Sequence, residues 1–181
     1  GTCGRPLPCV EIRLAPKPGL PDAEVLVRSP TQMSGYYGMD DSPIDQDGWL
    51  NTGDLGRMDE SGLLWITGRS KDMIIRGGEN IAPVAIERAL EALPGVVEAV
   101  VFGVPHPDLG EEVMAVVVVK QALDELQLQQ QLRGTLASFA IPSRWRIQQE
   151  PLATNMTGKI DKAAIVAQAR AELVARDGIH G

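Results

Sequence analysis

The spacing of apolar and polar positions changes character once along this chain of 181 residues. Up to about residue 69, apolar residues come in short runs cut by turn formers: CVEIRLA, then PKPGLPDA, then EVLVRS, with DQDG and DESG as further turns. Such runs bounded by Gly, Pro, Asp and Ser predict strands, and no helical period intervenes. Beyond that point RSKDMIIRGGENI predicts two short strands around a Gly77-Gly78 turn. Pro83 suits a first helical position, and Ile86, Ala89, Leu90 and Leu93 recur at i, i+3, i+4 and i+7 until Pro94-Gly95 stops the run. VVEAVVFGV and EVMAVVVVK predict two Val-rich strands separated by the loop PHPDLGE. Leu128, Leu132, Leu136 and Phe139 share one helical stripe, so LDELQLQQQLRGTLASF predicts a single helix over the whole run. RWRIQ predicts one more strand and IDKAAIVAQARAEL a closing helix. The expected class is α+β: a β-rich segment over residues 1–69, then a domain over 70–181 with a central sheet flanked by helices.

Composition narrows the function classes. Hydrophobic content of 44% and charged content of 23% are those of a globular chain, and no apolar run approaches the roughly 18 residues of a membrane-spanning helix. The net charge of −7 argues against a general nucleic-acid binder, which needs Lys and Arg gathered on one face. Cys3 and Cys9 are too few for a disulfide framework or a zinc site, and with His106 and His180 far off no metal cluster is expected. With no apolar leader, the expected compartment is the cytoplasm.

One lysine stands out: Lys159, directly after Gly158 in TNMTGKIDK. Comparison with the phosphate-binding P-loop fails twice, because Ala153 stands where the first glycine belongs and Ile160 where a Ser or Thr would hold magnesium. Taken alone, a lysine between a turn and a helix is a solvated charge.

Other segments change that reading. GWLNTGDLGRMDESGLLWITGRSKDMIIRGGENI and the later TGKIDK follow one another in the order and spacing of a known family. The chain resembles the C-terminal part of the AMP-forming acyl- and aryl-CoA ligases, the adenylate-forming superfamily that includes luciferases and peptide-synthetase adenylation domains. The resemblance implies that residues 1–69 are the last β-barrel portion of a large N-terminal domain, mostly missing here, and that 70–181 are the small mobile C-terminal domain.

It also implies roles. Asp54 in TGDLG would hold the ribose of ATP, since a carboxylate accepts hydrogen bonds on both oxygens; the rival is an ordinary Asx turn. Ile66 and Arg69 would be further ATP or AMP contacts, the arginine's rival role being a surface salt bridge. Lys71 matches the hinge about which the small domain swings, against a plain exposed lysine. Gly77 and Gly78 would let the pantetheine arm of CoA approach the backbone, a role compatible with a tight turn. His106 is read as a loop residue without catalytic duty.

Lys159 matches the catalytic lysine, a cation that meets the charge developing as a carboxylate attacks the α-phosphate of ATP. Leu152-Ala153 replaces the usual Pro-Lys before this loop, and Lys162 stands where Arg is frequent. The implied parent is an ATP-dependent carboxylic acid–CoA ligase with magnesium accompanying ATP and CoA as co-substrate. This chain alone is expected to be inactive. Alternatives are an adenylation domain that loads a carrier protein, or a non-catalytic partner-docking domain whose open β edges self-associate.

Overall fold

The computed structural model describes residues 1–38 and 42–177, so His180 lies outside the described residues. The chain divides into two compact units, Gly1–Met73 and Ile74–Gly181.

The first unit is an antiparallel meander of β1 (Glu11–Ala15), β2 (Ala23–Arg28), β3 (Leu50–Met58) and β4 (Leu64–Arg69), in the order 1-2-3-4. β1 and β4 are its outer strands, and Gly4 bridges to Leu64 on the far side of β4. Val25, Leu26, Leu55 and Leu64 are buried apolar residues of these strands. Trp49 has two guanidinium groups over its ring, Arg13 at 4.6 Å and Arg28 at 4.5 Å from the ring centre, two cation–π contacts. At Gly56 the strands approach so closely that a Cβ would lie 2.7 Å from the Trp65 carbonyl oxygen. Only glycine fits there.

The second unit is built on a five-stranded sheet: β5 (Ile74–Arg76), β6 (Glu79–Ile81), β7 (Val96–His106), β8 (Gly110–Val119) and β9 (Arg144–Gln148). The order is β6-β5-β8-β7, and β9 runs parallel to β8 while all other pairings are antiparallel. Three helices cover it: α1 (Pro83–Glu91), α2 (Glu125–Leu132) and α3 (Lys162–Asp177). Val101, Val113, Ala115 and Val117 pack against Ile86 and Leu90 of α1 and Leu128 and Leu132 of α2. The alternate residues Val100, Phe102, Met114 and Val116 pack against Ile165 and Ala169 of α3. Both faces of the sheet are buried, which is why β7 and β8 read as unbroken apolar runs rather than as alternation.

Two expectations need correction. The predicted second helix stops at Leu132, because Arg133 is extended and Gly134 turns to φ +94°. Leu136 still packs on the core, but through a turn, and Phe139 sits partly exposed in a 3₁₀ turn, Ser138–Ala140. A period of four apolar residues thus continued across a glycine that breaks the helix. The loop between β7 and β8 is also shorter than predicted. The strands run on to His106 and restart at Gly110, and His106 Nδ1 accepts the Asp108 and Leu109 N–H groups, both at 3.2 Å, to close a tight tip.

Candidate functional site

In the first unit, Asp54 and Arg69 face each other across β3 and β4 in direct register. The register shifts between Leu55 and Gly56, leaving Thr67 as the extra residue, and this bulge sets the strand ends so that Asp54 meets Arg69 and not its neighbour. Arg69 Nε lies 3.0 Å from Asp54 Oδ1. Thr52 Oγ1 donates to the Val25 carbonyl at 2.7 Å and accepts the Asp54 N–H at 3.1 Å, fixing the backbone beneath the carboxylate. One contact uses one of the five guanidinium donors and one carboxylate oxygen, so both groups keep capacity for a ligand. Ile66, half-buried on β4, pairs with Gly56 just behind them. Lys71 is exposed in the 3₁₀ turn Ser70–Asp72, shortly before the division after Met73.

In the second unit, Gly77 and Gly78 take φ values of +58° and +88°. Two consecutive left-handed residues make the type I′ turn that matches the twist of a two-residue hairpin. The Gly77 N–H donates to the Leu109 carbonyl at 2.8 Å, and the Ile75 N–H donates to Glu111 Oε2 at 2.8 Å. The β5–β6 tip is thereby tied to the β7–β8 tip, with both glycines exposed.

Lys159 lies on a small, hydrogen-bonded loop. Thr154 and Ile160 form an isolated antiparallel bridge, the Gly158 N–H donates to the Asn155 carbonyl at 2.9 Å, and Gly158 adopts φ +77°. Asn155 Oδ1 accepts three hydrogen bonds, from the Thr157 N–H at 3.0 Å, the Thr157 hydroxyl at 2.7 Å and the Lys159 N–H at 3.1 Å. The Lys159 side chain is exposed and forms no ion pair among the described residues. The geometry presents an ammonium on a hydrogen-bonded backbone. In the sequence Asn155 shows only as an Asn three residues before a Gly, a common turn frame.

Among the described residues no three His, Cys, Asp or Glu side chains converge as a metal site, and no helix is long and apolar enough to cross a membrane.

The sequence model for the AMP-binding enzyme C-terminal domain matches residues 85–159, and so ends on Lys159. The chain is 43% identical over 168 residues to the 3-[(3aS,4S,7aS)-7a-methyl-1,5-dioxo-octahydro-1H-inden-4-yl]propanoyl:CoA ligase of Mycobacterium tuberculosis, covering 89% of this chain and 32% of that protein. It is 38% identical over 159 residues to the sulfoacetate–CoA ligase of Cupriavidus necator, covering 85% and 31%. Among solved structures, ATP-bound MatB from Rhodopseudomonas palustris matches with a TM-score of 0.84 at 38% identity, over 94% of this chain and 36% of that one. The chain spans about a third of the length of these relatives.

Proposed function

We propose, from the match of residues 85–159 to the AMP-binding enzyme C-terminal domain and the likeness to CoA ligases, that this chain is part of an adenylate-forming ligase and that its parent joins a carboxylic acid to CoA in two steps. In the first, the acid's carboxylate attacks the α-phosphorus of ATP, the bond to pyrophosphate breaks, and an acyl-adenylate forms. In the second, the CoA thiol attacks the acyl carbon and AMP leaves.

Lys159 supplies the cation for the first step. Two anions must approach, and an ammonium on a flexible stem stabilises the charge that builds between them. Asp54 accepts the ribose hydroxyls, with Ile66 and Arg69 beside it against the nucleotide. Lys71 is the hinge between two arrangements of the small domain, and Gly77 and Gly78 clear the path of the pantetheine arm. Magnesium enters as part of the ATP substrate, and no residue of this chain is assigned to it. Residues 1–69 complete the large domain's end and 70–181 form the mobile domain.

The observation that supports this reading most is Lys159 itself: exposed, without an ion pair among the described residues, on a loop held by Asn155, at the end of the matched segment. In the full-length parent, Lys159→Ala should cut acid-dependent ATP–pyrophosphate exchange to a small residual rate while thioester formation from supplied acyl-adenylate continues. Equal loss of both steps would make Lys159 structural and sink the assignment. The 181-residue chain alone should give no exchange with any acid.

A further inference from the structure

Glu87 joins three elements of the second unit through one oxygen. Its Oε1 accepts the Val101 backbone N–H at 2.9 Å and the Lys162 ammonium at 3.3 Å. Val101 belongs to β7, an edge strand of the sheet, whose outward N–H has no neighbouring strand to receive it. Lys162 is the first residue of α3, which packs on the face of the sheet opposite α1. Glu87 on α1 therefore reaches around the open edge and fastens the start of α3. Further along α3, Arg170 Nη2 donates to the Gly103 carbonyl at 3.0 Å and closes the same edge a second time.

Lys159 lies just upstream of this fastening. On the other side of its loop, Leu152 is buried against α3, and the Asp161 N–H donates to the Ala153 carbonyl at 2.8 Å across the loop's base. The loop is thus a hairpin closed at its base, with its exit held at Lys162. We propose that Glu87 and Lys162 are positioning residues that hold the Lys159 loop against the sheet, an inference that rests on the role of Lys159 given above. A reacting group displaced by about 1 Å can lose on the order of 100-fold in rate, so a fastening next to the loop bears on rate. As a source of stability the pair counts for little, because Lys162 is about one-third exposed and such ion pairs are weak. Rate and stability therefore separate.

The test compares Lys162→Ala, Lys162→Arg, Glu87→Gln, Lys159→Ala and the double variant Lys159→Ala/Lys162→Ala in the full-length parent. Lys162→Ala should lower pyrophosphate exchange roughly tenfold, well short of the loss expected for a group that meets the substrate itself. Lys162→Arg should recover most of it. Glu87→Gln, which keeps an oxygen for the Val101 N–H but removes the charge facing Lys162, should fall in between. Thioester formation from supplied acyl-adenylate and the melting temperature should stay near the wild-type values in all three. Adding Lys162→Ala to Lys159→Ala should cost nothing further, since the fastening acts only through Lys159. Unchanged exchange in Lys162→Ala, equal loss in both steps, or additive losses in the double variant would overturn the proposal. If Lys159→Ala itself leaves exchange intact, the role of Lys159 falls, and the positioning role falls with it.

Discussion

Asn155 grips Lys159 through both polar groups of its backbone: the Asn155 N–H donates to the Lys159 carbonyl at 2.8 Å, and the Lys159 N–H donates to Asn155 Oδ1 at 3.1 Å. The backbone and side chain of one residue and the backbone of the other close the loop between them. The flexible part of Lys159 is then only its own stem.

Asn155→Ala removes an acceptor shared by three donors. Because the loop is exposed, water replaces much of what is lost, and the expected stability cost is about 0.5–1 kcal/mol. The larger effect is on order: amide exchange at Lys159 in this chain should quicken clearly. Asn155→Asp, which keeps an acceptor at the same place, should restore slow exchange. Equal exchange rates in Asn155→Ala and the wild type would show that the strand-like pairing alone sets the loop.

The β5–β6 turn separates two duties of its glycines. At Gly78 a Cβ would meet nothing within 4 Å, so the cost of Gly78→Ala is purely conformational, φ +88° being a region that side chains avoid. That strain is about 1–2 kcal/mol. Asn tolerates the left-handed region better, so Gly78→Asn should keep most of the stability while still placing a side chain over the turn. In the parent, Gly78→Asn should raise the KM for CoA with pyrophosphate exchange unaltered. Normal CoA kinetics in that variant would leave the glycine with its turn duty alone.

Much of this was legible from the chain because local rules and burial agreed. Pro83, Gly95 and the Gly77-Gly78 pair act through backbone conformation that their own chemistry dictates, and each stands where the spacing put it. The α2 region failed because a stripe of leucines says which residues are buried, not that one helix carries them. Leu136 reaches the same core after Gly134 has ended the helix. The Asp54–Arg69 pairing could not be read, since it depends on a bulge that shifts the register by one residue. The Glu87–Lys162 contact was equally hidden, because it spans 75 residues and forms only once the helices lie on opposite faces of the sheet.

Asp54→Asn tests the first unit. The Arg69 contact is about half exposed on the arginine side, so losing its charge should cost under about 1 kcal/mol of stability. An amide has one accepting oxygen in place of two and cannot accept two ribose hydroxyls in the same way. The expected result in the parent is a KM for ATP raised about tenfold or more, with the KM for the acid nearly unchanged. A variant with normal ATP kinetics would return Asp54 to a purely structural partner of Arg69.

Acid should weaken the second unit through Glu112, which is only 7% exposed. Burial pushes its carboxyl up, but hydrogen bonds from Arg144 Nε at 2.7 Å and the Ser143 hydroxyl at 2.8 Å, aided by the charges of Arg144 and His106, bring it below the ordinary value of 4.5. A folded carboxyl that binds its proton less readily than the unfolded one adds stability above the unfolded pKa. That stability is lost as the pH falls through the folded value. Asp59 does the same in the first unit: the Ser61 hydroxyl, the Trp65 indole and the Leu63 and Ser61 N–H groups bring it from 3.8 to about 2, so its contribution fades only between those values. Glu112→Gln should therefore destabilise the second unit at pH 7 by about 1–2 kcal/mol, within the range for a hydrogen-bonded charge whose partner, Arg144, is more open to solvent. The gap between variant and wild type should narrow steadily once the pH drops below about 4.5. Urea titrations followed by amide exchange in β8, run from pH 7 to pH 3, read this directly; a gap that stays constant over the whole range would show that packing, not the Glu112 charge, is what the substitution removes.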